Sequence, residues 1–257
     1  MIVSFHATHG SAGADCLNEI IPCLGRHADD FVKNCPWIDE YVLLQTCNRF
    51  EIYIATKDND KTVRALRAFR KDAIPYVTDE RASFILEDME SIMHLFRVCC
   101  GLESLIVGED QIQGQVKEAY AAARESSTVG PMLTRMFESA LSVGKRVRTE
   151  TALNRGAVSV GSAAVELADR LLGSLDNKTV TVMGAGETAT TIATSLAGRP
   201  LRAIFVSNRT YNRAVDLAEK LNGQAVGTKY RLNAIGKSDL LLVATSAPHI
   251  LLNKADV

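Results

Sequence analysis

The chain has 257 residues, 47% hydrophobic and 23% charged, with a formal net charge of -1. That composition suits one large or two ordinary globular domains and excludes a disordered chain. It also excludes a uniformly basic surface for non-specific nucleic-acid binding, since Lys145-Arg146-Val147-Arg148 is a local cluster that reads equally well as a solvated helix face.

The first residues, Met1-Ile2-Val3-Ser4-Phe5-His6, have no basic segment leading into a long apolar run, so no secretory signal is read there. Residues 2–5 read as a strand. Residues 16–24 read as a helix, with Leu17, Ile20, Ile21 and Leu24 at helical spacing. Residues 41–45 and 52–55 read as two strands, with Cys47 between them or at their ends. A helix over 60–71 carries Arg64, Arg67, Arg70 and Lys71 on a solvated basic face. Another helix is read over 91–102, and three long ones over 110–126, 131–149 and 157–172, with Pro131 at a helix start.

The second half changes character. Residues 179–183 form an apolar run that ends in Gly184-Ala185-Gly186-Glu187-Thr188-Ala189. A helix over 187–197, a strand over 203–206, a helix over 212–221, a short strand over 224–226 and an apolar strand over 240–244 follow. Apolar runs of this kind are parallel strands covered by helices on both faces. The fold class read from this is α/β: an N-terminal α/β domain over 1–155, long helices, and an incomplete Rossmann-type parallel sheet over 156–257. A full fold of this class has about six strands. Four strands with an apolar edge at 240–244 are read as a fragment, a truncated product or one piece of a larger assembly.

No stretch reaches the ~18 apolar residues of a spanning helix. The six cysteines, Cys16, Cys23, Cys35, Cys47, Cys99 and Cys100, show no C-x-x-C pair and no zinc spacing. A set of Cys99, Cys100 and His94 matches no ligand spacing either, so no metal is expected. A cytoplasmic location without membrane attachment is the expectation.

The chemistry sits in three stretches. In the glycine turn, Gly184 permits the tight bend, Gly186 lets a pyrophosphate approach the backbone, and small Ala189 lets the helix pack closely on the strand. The next strand ends in Ser207-Asn208-Arg209-Thr210 without the acid that would bind a ribose hydroxyl. Ser207, Arg209 and Thr210 suit a 2′-phosphate instead, which favours NADP(H) over NAD(H). Cys47, in Thr46-Cys47-Asn48-Arg49, is either a packing cysteine or a nucleophile, and Arg49 either favours its thiolate or binds a substrate carboxylate. Glu109 and Asp110 at a helix start are explained by the helix dipole, whereas Gln111, Gln113 and Gln115 are not. A thiol and a hydride-donor site in one chain suggest a reduction through a thioester.

These stretches together resemble the glutamyl-tRNA reductase family. The resemblance is carried by Thr46-Cys47-Asn48-Arg49 with Glu51, His94-Leu95-Phe96-Arg97 leading to Gly101-Leu102-Glu103-Ser104, and Gly108-Glu109-Asp110-Gln111-Ile112 with Gly114-Gln115. Lys145 to Thr151, Gly156-Ala157-Val158-Ser159-Val160, the glycine turn and Asn208-Arg209-Thr210 add to it. The resemblance implies NADPH-dependent reduction of glutamyl-tRNA to glutamate-1-semialdehyde, the entry to tetrapyrroles, with residues 1–155 as the catalytic, glutamyl-tRNA-binding domain. It implies Cys47 as the nucleophile, His94 as a residue important for activity, and Thr46, Asn48, Arg49, Ser104, Glu109, Asp110, Gln111 and Gln115 as the glutamate site. Gly184, Ala185, Gly186, Glu187, Thr188 and Ala189 would hold NADPH.

As partners it implies glutamyl-tRNA, the aminomutase that takes the semialdehyde, and a second copy in a homodimer. The chain departs from the family in three places. Its first strand reads Ser4-Phe5-His6-Ala7-Thr8 and then diverges, Asp110 stands where proline is frequent, and the helical dimerisation domain is not in the sequence. Two other readings remain: a shikimate-dehydrogenase-like NADP oxidoreductase, which shares the Ala244-Thr245-Ser246 stretch and needs no Cys47, and a non-catalytic relative that binds tRNA or a partner.

Overall fold

A computed structural model describes residues 1–153, 159–245, 247 and 250–256. Gly156, Ala157, Val158 and Ser246 lie outside the described residues, as does the start of the helix read from 157. The chain divides into two compact units, Met1–Arg155 and Gly156–Val257.

The first unit is built on a four-stranded antiparallel sheet of order β2-β3-β1-β4. Its strands are β1 (Ile2–Thr8), β2 (Ile38–Gln45), β3 (Arg49–Thr56) and β4 (Phe84–Glu87). One face packs on α1 (Ala14–Lys33) and α2 (Asn59–Ala73), through Val3, Phe5, Ala7, Phe50, Ile52 and Ile54. The other face packs on α3 (Asp88–Cys99), α4 (Gln111–Glu125) and α5 (Pro131–Glu150), through Ile2, Tyr53 and Ala55 together with Val42 and Leu44. Both central strands are therefore covered on both sides.

Several boundaries differ from the sequence reading, each for a physical reason. Helix α1 runs on to Lys33 because its apolar face, Leu17, Ile20, Ile21, Leu24 and Ala28, continues past Pro22 and Gly25, which read locally as breakers. Strands β1 and β3 extend into polar residues, His6 to Thr8 and Arg49 to Glu51, which pair directly with one another. Helix α3 ends at Cys99 rather than 102: Gly101 takes φ +73°, and the amides of Gly101 and Leu102 close back on Val98 and Arg97. Strand β4 is too short to show a periodicity and has no counterpart in the reading. Helix α5 is seated by Glu40 of β2, whose carboxylate accepts from the amides of Met132 and Leu133 at 3.1 and 2.7 Å.

The second unit is a parallel sheet of order β7-β6-β5-β8. Helix α6 (Val160–Leu172) begins with a Ser159–Ser162 capping box and ends on Gly173 at φ +75°. Then come β5 (Thr179–Met183), α7 (Glu187–Leu196), β6 (Ala203–Ser207), α8 (Tyr211–Lys220), β7 (Gln224–Val226), α9 (Arg231–Ile235) and β8 (Leu240–Val243). Strand β8 lies at a sheet edge, with Val243 50% exposed.

Gly184 follows β5 at φ +115°, and a Cβ there would lie 1.8 Å from the carbonyl oxygen of Ala244. Strain and overlap act together, so Gly184→Ala should cost the second unit at least about 2 kcal/mol. Hydrogen exchange at the β5 amides should accelerate accordingly, while the β1 and β3 amides keep their protection. Unchanged exchange at β5 would show that the turn can relax.

Candidate functional site

Residues 46–48 form the tight turn between β2 and β3. The Thr46 amide donates to the Arg49 carbonyl at 2.9 Å, and the Asn48 amide donates to the Thr46 hydroxyl at 3.1 Å. This lifts Cys47 to the outside of the turn, where it is exposed. Cys35, Cys99 and Cys100 are buried, and Cys16 and Cys23 are half-buried. Burial pushes the Cys99 thiol up to about 12 and also raises that of Cys100. Cys47 is thus the one exposed cysteine, with Cys16 and Cys23 only partly accessible.

From Arg49 onward, strand alternation sets Arg49, Glu51 and Tyr53 on one face of β3. Ser4, His6 and Thr8 of β1 stand directly opposite Tyr53, Glu51 and Arg49. Alternation of this kind normally marks a solvent face, but α3 covers this one. The result is a buried polar stripe: Arg49 is 2% exposed and Glu51 and His6 are 0% exposed.

Glu51 is the hub. Its Oε1 accepts from Arg49 Nη1 at 2.9 Å and from His94 Nε2 at 3.1 Å, and its Oε2 accepts from the Tyr53 hydroxyl at 2.6 Å. Burial alone would raise its pKa. The adjacent His6 and His94 and the Arg49 charge outweigh that and hold the carboxyl well below its usual range. Burial and the neighbouring Glu51 charge push the Tyr53 hydroxyl well above its usual value, so it remains a donor.

A loop from α3 to α4 closes over this stripe. Arg49 Nη2 donates to the Glu103 carbonyl, and Arg97 pairs with the Glu103 side chain. Gly108, at φ +86°, donates its amide to the Gly101 carbonyl at 3.0 Å. Ser104 is held here with a buried hydroxyl that has no partner among the described residues.

His9 belongs to the same place and was missed in the sequence. Its amide donates to the Asn48 carbonyl at 3.0 Å. Burial and the Arg49 charge lower its pKa, against the opposing pull of Glu103 and Glu109. His9 diverges from the expected pattern only after Thr8, so no spacing singled it out. The signal for His6 and Glu51 was the polar-apolar alternation shared by 4–8 and 49–53.

The acid and amide cluster that opens α4 divides in two. Asp110 pairs with Arg148 of α5 at 3.2 Å. Gln113 also binds Arg148 and donates to the Leu141 carbonyl at 2.8 Å, so it locks α4 to α5. Glu109, Gln111 and Gln115 are half-buried at or near the start of α4.

In the second unit, the Gly184–Ala189 turn joins the central strand β5 to α7, beside the point where the strand order changes direction. A Cβ on Gly186 would meet nothing within 4 Å, so the backbone ahead of α7 is open to a ligand. Gly186, Glu187 and Thr188 are exposed and Ala189 is buried against the sheet. The first amides of α7 face that space, where an anion is favoured. Ser207 is buried at the end of β6, with Arg209 and Thr210 exposed beyond it. Arg209 makes no ion pair among the described residues. This donor set fits a dinucleotide: open amides for the pyrophosphate and a free guanidinium in place of an acid.

Residues 8–151 match the family described as glutamyl-tRNAGlu reductase, N-terminal domain, and residues 166–257 match shikimate / quinate 5-dehydrogenase. The chain is similar to the glutamyl-tRNA reductase of Methanopyrus kandleri, 46% identical over 216 residues, covering 84% of this chain and 51% of that relative. It is 37% identical over 250 residues to the glutamyl-tRNA reductase of Archaeoglobus fulgidus, covering 97% of this chain and 55% of that relative. The solved glutamyl-tRNA reductase from Methanopyrus kandleri superposes with a TM-score of 0.57 at 40% identity, covering 99% of this chain and 61% of that one. The chain therefore spans about half the length of the curated relatives it matches. Among the described residues, no helix is long and apolar enough to cross a membrane.

Proposed function

Because the chain belongs to the glutamyl-tRNA reductase family, we propose that it reduces glutamyl-tRNA to glutamate-1-semialdehyde with NADPH, through a thioester on Cys47. The observation that carries this reading is the exposed Cys47 thiol, set on a rigid turn at the end of the buried Arg49–Glu51–His94 stripe.

The thiolate of Cys47 attacks the ester carbonyl of the charged tRNA. A carbon–sulfur bond forms, the carbon–oxygen bond to the terminal ribose breaks, and that oxygen leaves with a proton. The glutamate site is assigned to Thr46, Asn48, Arg49, Ser104, Glu109 and Gln115, with Gln111 beside them. Ser104 brings a buried hydroxyl without a partner, as a polar substrate group would require. Arg49 has Nη1 committed to Glu51, so it meets a substrate carboxylate only through its remaining N–H groups, on the side now closed by Glu103. Asp110 acts through Arg148, by fixing the start of α4. Glu51 holds the His94 ring in place through Nε2.

In the second unit, Gly184 to Ala189 and Ser207, Arg209 and Thr210 would hold the nicotinamide cofactor. When bound, it supplies the hydride that converts a thioester to an aldehyde and returns Cys47 as a thiolate. Arg209 sets the preference for the phosphorylated form. Losing a charge-assisted hydrogen bond costs about 1.5–3 kcal/mol. Arg209→Ala should therefore weaken NADPH roughly tenfold to a hundredfold and leave NADH nearly unchanged, as read by fluorescence titration. An unaltered ratio of the two affinities would remove Arg209 from the site.

The shikimate-dehydrogenase-like reading draws on the match over 166–257 alone. It leaves Cys47 idle, so a thiol-blocking reagent separates the two. Under the reductase reading, one equivalent of reagent on Cys47 abolishes turnover of glutamyl-tRNA. Turnover that survives the block would refute it.

A further inference from the structure

His6 has no role in the reaction as set out above, yet it lies at the centre of the stripe. It is 0% exposed, stacks on Phe84 with ring centroids 4.9 Å apart, and touches His94 edge to face at 4.2 Å. A chain of hydrogen bonds determines its tautomer. The Leu86 carbonyl can only accept, so the Ser91 hydroxyl donates to it at 2.8 Å. Ser4 then donates to Ser91 at 2.7 Å. The Ser4 proton is thereby used, and His6 Nε2, 2.7 Å away, must donate to Ser4. That leaves Nδ1 as a bare lone pair. It has no hydrogen-bond partner and stands 3.7 Å from Glu51 Oε1, the oxygen that already accepts from Arg49 and His94.

The lone pair could take a metal ion or a proton. His6, Glu51 and His94 do bring three ligand atoms within 4.8 Å of one another. The Arg49 cation, however, already occupies Oε1, and the Tyr53 hydroxyl occupies Oε2. A dication would have to displace a buried arginine, so a proton is the better fit.

We propose that His6 is a positioning residue for His94, acting through Glu51. While neutral, His6 leaves Oε1 to His94. When a proton from solvent adds to Nδ1, that N–H competes for the same oxygen and places a positive charge against the His94 ring. His94 then loses its anchor. The groups facing His6 are Glu51, Arg49 and Tyr53 from β3, His94 from α3, and uncharged Ser4, Ser91 and Phe84. Burial, together with His94 and Arg49, keeps His6 from protonating at neutral pH, and Glu51 opposes them. In the folded chain His6 therefore takes up this proton only as pH falls below the ordinary 6.5.

The consequence for activity rests on the reductase reading, but the proton itself can be observed without turnover. Side-chain NMR of the histidines in the full chain should show His6 with a proton on Nε2 and none on Nδ1 at neutral pH. On acidification, His94 should shift together with the protonation of His6. His6→Gln keeps a donor toward Ser4 and lacks the titrating nitrogen. In that variant the His94 shift should be lost over the same range. The acid limb of the rate of glutamyl transfer to Cys47, normalised to its own plateau, should move to lower pH. His6→Asn, a permanent donor toward Glu51, should instead give a slow transfer that no longer depends on pH over that range. A proton on Nδ1 at neutral pH, or an acid limb and a His94 chemical-shift change that are the same in His6→Gln as in wild type, would overturn the proposal. If wild type transfers no glutamyl group at any pH, the reductase reading fails, and the NMR titration still decides the role of His6.

Discussion

Glu51→Gln is expected to destabilise the first unit by roughly 3–5 kcal/mol, the usual cost of leaving one member of a buried ion pair behind. Arg49 would keep its charge in the interior with a neutral amide opposite, and the Tyr53 and His94 donors would lose their anionic acceptor. The measurement is clean because Trp37 is the one tryptophan of the chain and lies in the first unit. Its fluorescence follows that unit through urea unfolding without requiring both units to melt together. The midpoint should fall by about 1 M urea or more. An unchanged midpoint would mean that water or a rearranged Arg49 replaces the pair.

The pH dependence has a definite sign. The unfolded chain takes up a proton on the Glu51 carboxyl near 4.5, whereas the folded chain holds that carboxyl well below it. Stability from this group is therefore complete above 4.5 and is lost as pH falls further. His6 adds a second window beginning at 6.5, since the folded chain also resists protonating it. Acid lability should thus begin below pH 6.5, and Glu51→Gln should remove only the lower part of it.

Cys47→Ser should reduce enzyme-promoted release of tRNA from glutamyl-tRNA to the spontaneous rate. A serine hydroxyl is a poor nucleophile at neutral pH, and an oxygen ester is a poorer hydride acceptor than a thioester. Cys47 is exposed on a turn held by backbone contacts, so the substitution should leave the unfolding free energy within about 0.5 kcal/mol of wild type. Release that continues at the wild-type rate in Cys47→Ser would assign the chemistry to another group.

How much of this was legible depended on whether the signal was local. The glycine turn and the strand over 179–183 were, because a fully buried parallel strand shows as a short run rich in β-branched residues and needs no partner to be recognised. Cys47 was visible from its polar neighbours, but its exposure depends on where β2 ends and β3 begins. Strand β3 starts at Arg49, three residues before the strand read from the sequence, because Arg49 and Glu51 neutralise one another and pair with Thr8 and His6 across the sheet. Charge compensation between distant segments leaves no trace in either segment alone. The same holds for Gln113, whose role is to bind Arg148 of another helix, and for His9, which joins the turn through a backbone amide.

The central claim is that Cys47 accepts the glutamyl group from tRNA. The most direct measurement incubates the wild-type chain with tRNA charged with radiolabelled glutamate, without cofactor, then quenches in acid, digests and maps the label. Label is expected on the peptide that contains Cys47, released by hydroxylamine as a thioester would be, and absent when Cys47 is blocked beforehand. Label on a different peptide, or no covalent label while the tRNA is still discharged, would contradict it.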